Sequence, residues 1–286
     1  MTNAGLISLV EREHIQSLLD HGKRTDGRLF EEFRKIAIIS SYIQKAEGSA
    51  MAKLGKSKVL AGVKAQIGNP FPDTPEAGVV TTTVELVPIA SPDFESGPPR
   101  ARAIEIARVT DRAIRESKAV NPKSLVIIPG KKVWVIFIDL YVLDYDGNLF
   151  DACTLAAVAA LRNAQIPDVK IINDAEGNPE DVELLETTHP IVMDHIPVSC
   201  TFAKIGKNII VDPILKEESI QDARITLAFT EENKICATQK GESGSFSLDE
   251  IKKCIDIASE RTKEIRSKLD SITDPKGNPW SDDHTS

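Results

Sequence analysis

The chain has 286 residues, 41% of them hydrophobic, which is enough to bury a core and excludes a disordered protein. Its 35 Lys and Arg against 43 Asp and Glu leave a net charge of −8, which argues against nucleic-acid binding by bulk charge and leaves room only for a local basic site. The apolar run at 133–143 is broken by Asp139 and too short for a bilayer, and the N-terminus lacks the pattern of a secretory signal.

Apolar spacing predicts a helix over 5–20, stopped at His21-Gly22, where glycine can take a left-handed cap. A charged turn at 23–28 follows. Segments 36–43, 49–55, 58–67 and 79–89 are rich in Val, Ile and Thr and read as an antiparallel meander of strands. A Pro-rich loop at 91–99 leads to a helix over 101–120, about five turns long. Two strands follow at 124–130 and 131–143, the second so apolar that a central place is expected. Asp146-Gly147 marks a turn, and the Ala-rich helix at 151–164, apolar almost all round, reads as buried. Residues 166–195 read as an acidic connector with Pro and Gly. Strands at 196–205, 208–212, 223–229 and 234–239 precede a long terminal helix over 248–272. The order predicts an α+β protein of two β–α layers packed together.

The charge is segregated. Residues 98–134 hold nine basic and three acidic side chains, whereas 171–194 hold seven acids and no Lys or Arg. Arg108, Arg112 and Arg115 stand at i, i+4 and i+7, so they share one helix face. Such a row can grip successive phosphates of an extended strand. It can equally pair locally, Asp111 with Arg115 and Arg112 with Glu116. Asp212 and Glu218 could share a divalent metal, or they could belong to an exposed acidic turn, as Lys216-Glu217-Glu218 suggests. The five histidines lack ligand spacing, so neither metal nor cofactor is expected. Cys153, Cys200, Cys236 and Cys254 form no CxxC pair and read as reduced thiols in a cytoplasmic protein.

Gly22-Lys23-Arg24-Thr25-Asp26-Gly27-Arg28, Glu47-Gly48-Ser49-Ala50, the stretch from Pro98 to Ser117, and Asp146-Gly147 before a buried Ala-rich helix resemble the RNase PH family. Gly97-Pro98-Pro99, the segment Glu105 to Arg112, Leu143-Asp144-Tyr145, Asp151 to Leu155 and Val211-Asp212-Pro213 are most similar to its non-catalytic ring subunit in the archaeal exosome. The resemblance runs from about Gly22 to Leu269. It implies an RNase PH-like fold, related to the second domain of ribosomal protein S5. The implied divisions are an N-terminal helix (1–21), a first half (22–165), the acidic connector (166–195), a C-terminal half (196–272) and a mobile tail (273–286).

The departures from the family pattern point to a role. Active members follow the Asp-Gly turn with Gly-Ser/Thr-Arg, which holds the attacking phosphate. Here Asn148, Leu149 and Phe150 stand there, and an apolar ring cannot do that work. The Asp-x5-Asp pair of active members reads Asp212-x5-Glu218, with Pro213 after the Asp. The resemblance therefore implies a chain without its own chemistry, alternating with a catalytic RNase PH-like subunit in a three-plus-three ring. RNA-binding cap subunits sit on one face of that ring, and single-stranded RNA threads the pore to be degraded 3′→5′ by phosphorolysis. Arg108 and Arg112 match positions that hold RNA for the neighbouring active site, with Arg115 a weaker match. The alternative is an active phosphate-dependent exoribonuclease with another phosphate anchor.

Overall fold

The computed structural model describes residues 9–270. The expectation for the tail at 273–286, and those for the outer ends of the first and last helices, lie outside the described residues. Helix α1 (Leu9–Asp20) ends where Gly22 takes φ +73°, a left-handed conformation that glycine adopts freely. Its Ile15 and Leu19, one turn apart, bury against Ala203, Ile205, Ile210 and Ile220.

Strands β1 (Ile36–Ser40), β2 (Gly48–Leu54) and β3 (Ser57–Gly68) make the expected antiparallel meander. Strand β4 (Val79–Leu86) does not continue it. After helix α2 (Ala101–Glu116) and a 3-10 turn at Pro122–Leu125, strands β5 (Val126–Ile128) and β6 (Lys132–Asp144) return to the sheet. Strand β6 pairs with β3 on one edge and takes β4, in parallel, on the other, giving the order β1-β2-β3-β6-β4 with β5 also on β6. The reading of 79–89 as the fourth strand of a meander is corrected accordingly. The cause is the apolar content of β6, whose Val133, Ile136, Ile138, Leu140 and Val142 are fully buried. A strand that apolar takes the centre, and the Thr-rich β4 tolerates the rim.

In α2 the buried residues Ala103, Ile106, Val109, Ala113 and Ile114 recur at three and four, so one stripe faces inward. Helix α3 (Leu149–Arg162) is buried from Leu149 to Leu161 because sheets cover both its sides. Residues 166–195 are not a plain connector. Strands β7 (Gln165–Asn173) and β8 (Pro179–Pro190) form a two-stranded hairpin. The Asp174 carboxylate closes its turn by accepting the amides of Glu176 and Asn178.

Strands β9 (Val198–Ile205) and β10 (Asn208–Val211), the short helix α4 (Leu215–Glu218), and strands β11 (Ala223–Phe229) and β12 (Ile235–Gly241) complete the second half. Its sheet runs β10-β9-β11-β12. Alternation along β9 sends Cys200 and Phe202 against Cys254 and Ala258 of helix α5 (Leu248–Asp270). Thr201, on the opposite face, bonds Asp151 of α3. The layers are therefore sheet, α2 with α3, sheet, α5. Among the described residues no helix is long and apolar enough to cross a membrane.

Candidate functional site

The chain turns sharply after β6. Gly147 has φ +84°, and a Cβ there would stand 2.5 Å from the Pro213 carbonyl oxygen, so only glycine fits. Asn148 follows at φ 51° and caps α3, whose first amides point out of the helix. The chain supplies its own anion to the one at Asn148. The Asn148 amide donates to Glu218 Oε2 at 2.7 Å. Arg102 Nη2 at 2.5 Å and the Tyr145 hydroxyl at 3.2 Å donate to Glu218 Oε1. Burial first, and then the Glu218 charge, push the Tyr145 phenol well above its ordinary range, so it stays a donor.

Leu149 and Phe150 are buried. The Arg224 guanidinium carbon lies 4.0 Å from the centroid of the Phe150 ring, and Arg224 Nη2 bonds Glu105 at 2.5 Å. A paired cation thus covers the Phe150 ring.

The expectation of an exposed acidic turn at 212–218 is wrong. Asp212 and Glu217 are fully buried, and the Glu218 side chain is only 11% exposed. The reason is a set of arginines from the segment before β1. Arg24 meets Glu217 through two bonds, of 2.9 and 2.6 Å. Asp212 accepts from Arg34 Nη2 at 2.7 Å, Arg34 Nε at 2.9 Å, the Arg34 amide at 2.9 Å and Arg28 Nη1 at 3.1 Å. Asn148 Nδ2 adds a bond of 2.7 Å. Burial alone would raise the Asp212 carboxyl, but the bonds and charge of Arg34, with the charge of Arg28, hold it below the ordinary value. Asp212 and Glu218 both touch Asn148, one at its side chain and one at its amide. Each is already bound to arginine. Among the described residues no group of three or more His, Cys, Asp and Glu side chains could hold a metal ion.

Asp151, in the first turn of α3, is a buried carboxylate without an arginine. It accepts from the Thr201 amide and hydroxyl, both at 2.9 Å, and from Asn148 Nδ2 at 2.8 Å. Burial, aided by the charge of Asp212, pushes its carboxyl up to about 6.

The three arginines of α2 meet different surroundings. Arg115 pairs with Asp111 at 3.4 Å and Glu116 at 3.5 Å, so it is locally engaged. The pairing of Arg112 with Glu116 does not form. Arg112 Nη2 instead donates to Gln239 Oε1 at 2.6 Å, and its buried Nε has no partner. Arg108 is exposed and makes no hydrogen bond or ion pair among the described residues. Gln239 Nε2 donates to Glu105 at 3.0 Å, so a chain of contacts runs from Arg112 through Gln239, Glu105 and Arg224 to Phe150. Arg34, Arg102, Glu105, Arg224 and Gln239 were not singled out from the sequence. Only the dense charge at 23–28 and 98–134 hinted at such partners.

Comparison with known proteins gives consistent matches. Residues 32–167 match domain 1 of the 3′ exoribonuclease family (RNase PH), and residues 195–261 match domain 2. A relative from Pyrococcus horikoshii, named exosome complex component Rrp42, is 51% identical over 266 residues, covering 93% of this chain and 96% of its own. Its namesake from Thermococcus gammatolerans is 52% identical over 269 residues, covering 94% and 97%. Among solved structures, a chain of the Archaeoglobus fulgidus exosome with RNA bound to the active site superposes with a TM-score of 0.82 at 41% identity. That match covers 91% of this chain and 98% of the other. A chain of an archaeal exosome core gives a TM-score of 0.77 at 38% identity, covering 92% and 97%.

Proposed function

This chain belongs to the 3′ exoribonuclease (RNase PH) family, and from that premise we propose that it is a non-catalytic subunit of an archaeal-type exosome ring that holds RNA for a catalytic neighbour. The ring role is supported by relatives about half identical over nearly the full length that carry an exosome component's name. The non-catalytic role is carried by one observation: the Glu218 carboxylate bonds the leading amide of α3. Phosphorolysis needs inorganic phosphate held in line with the terminal RNA linkage. Here the Asn148 amide already serves Glu218, and Phe150 stands where active members carry the guanidinium. Asp212 is bound by Arg34 and Arg28 and shapes the fold in place of a metal site.

The RNA grip falls to Arg108 and Arg112. They lie on one face of α2, about 6 Å apart along its axis at 1.5 Å per residue. Arg108 is exposed and makes no hydrogen bond or ion pair among the described residues, and the Arg112 Nε still lacks an acceptor. Both are suited to charge-assisted bonds with RNA phosphates. Arg115 contributes charge while paired to Asp111. The partners on this reading are the catalytic RNase PH-like subunit, three to a ring with three of this chain, RNA-binding cap subunits, and single-stranded RNA. The four cysteines fit a cytoplasmic setting.

The test is native mass spectrometry of the purified chain, alone and mixed with the catalytic subunit. The mixture should give a six-chain species with equal parts of each. A mass for this chain that the partner leaves unchanged would overturn the ring role.

A further inference from the structure

Arg112 is held differently from its two neighbours on α2. Arg115 is met by the carboxylates of Asp111 and Glu116, which offset its charge. Arg108 is exposed and makes no hydrogen bond or ion pair among the described residues. Arg112 is held by a neutral group, the Gln239 side-chain amide, and forms no ion pair among the described residues.

The fold brings that amide to it. Ala113 of α2 packs on Ala228 and Ala237, and such small residues let the helix lie close on the edge strand β12. Gln239 stands two residues beyond Ala237, so it shares that face of the strand. Glu105 and Arg112 stand at i and i+7 on one side of α2, about 10 Å apart along its axis. Gln239 spans them. Its Oε1 accepts from Arg112 Nη2 at 2.6 Å, and its Nε2 donates to Glu105 Oε1 at 3.0 Å.

The surroundings fix which way the amide faces. Its Nε2 meets acceptors, the Glu105 carboxylate and, at 3.4 Å, the Lys240 carbonyl. A flipped amide would set oxygen against carboxylate and N–H against guanidinium. Glu105 is itself held by Arg224 at 2.5 Å, and the Arg224 guanidinium rests on the Phe150 ring. Gly241 pairs with Arg224 across the strands, and a side chain there would collide with that guanidinium. The glycine therefore keeps room for the support beneath Gln239.

A neutral clamp suits an arginine that must bind an anion. An unheld side chain loses rotamer freedom when it grips a phosphate, and that loss lowers affinity. A carboxylate clamp would avoid the loss but offset the charge. An amide avoids the loss and leaves the charge. Resting on the RNA-holding reading above, we propose that Gln239 is a positioning residue for RNA: it presets the Arg112 guanidinium, with its charge intact, for a phosphate of the single strand.

The test uses rings reconstituted with the catalytic subunit and a short oligoadenylate, in buffer free of inorganic phosphate so that the RNA stays whole. Binding is measured across a range of salt concentrations. Q239L and the near-isosteric Q239M remove the clamp, while Glu105 keeps Arg224, so neither of those is left alone. Both variants should weaken binding about three- to tenfold. Their salt dependence should stay close to wild type, because Arg112 keeps its charge. Q239E sets a carboxylate on Arg112, and it should weaken binding and lower the salt slope by about one. In a ring that carries Arg112→Ala, adding Q239L should change binding less than about twofold, as expected of a residue that acts through Arg112.

Binding by Q239L and Q239M within about twofold of wild type, or tighter than wild type, would overturn the proposal. So would an equal loss from Q239L in the Arg112→Ala ring, which would make its effect a general one on the fold. A Q239E ring with wild-type affinity and salt slope would also overturn it, as would failure of both apolar variants to enter the ring. If Arg112→Ala itself left binding unchanged, the RNA-holding role of Arg112 would fall and this proposal with it. A loss from Arg112→Ala without one from Q239L would leave that role standing and overturn this proposal alone.

Discussion

Asp212→Asn separates a structural carboxylate from a vestigial metal ligand. The side chain keeps its size, and asparagine tolerates the φ of 49° that Asp212 adopts, so the change removes charge without adding backbone strain. Arg34 and Arg28, whose side chains are 7% and 10% exposed, then lose their shared anion. Arg34 keeps Asp146 at 3.6 Å and Arg28 keeps Asp26 at 2.7 Å, so the loss is partly cushioned. Removing one partner of a buried ion pair costs about 3–5 kcal/mol. At roughly 2–4 °C per kcal/mol for a chain of this size class, Tm should fall by about 6–20 °C. Thermal unfolding followed by circular dichroism on the isolated chain reads this directly. A shift below about 2 °C, as expected of an exposed acidic pair, would refute the structural role of Asp212.

Two further outcomes follow from the same geometry. Asp151, with its carboxyl raised to about 6, binds its proton more tightly in the folded state than in the unfolded one, so it loses stability as pH rises from about 4 through 6. Asp151→Asn is free of that loss, and its stability relative to wild type should improve by roughly 3 kcal/mol between pH 4 and 7 at about 1.4 kcal/mol per pKa unit; a difference independent of pH would contradict the assignment. Arg108→Glu with Arg112→Glu, in an assembled ring, should weaken single-stranded RNA binding by about tenfold or more and reduce its salt dependence, since each lost phosphate contact lowers the slope by about one. An assembled variant ring that binds and shortens RNA as wild type does would remove both residues from the grip.

Local pattern made the basic helix and the buried Ala-rich helix legible. In α2 the apolar stripe and the arginine row are both written at helical spacing, and in α3 the absence of any polar face announces two-sided burial. The Asn148, Leu149 and Phe150 triplet after the Asp-Gly turn was likewise visible as residue identity. What meets it in space was not. Glu218 reaches the Asn148 amide across 70 residues, and Arg34 reaches Asp212 across 178. Spacing along the chain carries no trace of such pairs, so 212–218 read as an exposed turn when arginines in fact bury it. The place of β4 was hidden for a related reason. Four strands in succession suggest a meander, and only the apolar demand of β6, which starts 46 residues after β4 ends, displaces the last of them. The hairpin was masked by its acidity, which outweighed the alternation of Val169 and Ile171.

The central claim is that this chain holds RNA and performs no phosphorolysis of its own. Its most direct test is the release of nucleoside diphosphates from single-stranded RNA in the presence of inorganic phosphate, measured for the purified chain alone and then with the catalytic subunit. The account predicts no release by the chain alone and sustained release by the mixture. Sustained, phosphate-dependent release by the chain alone would contradict it.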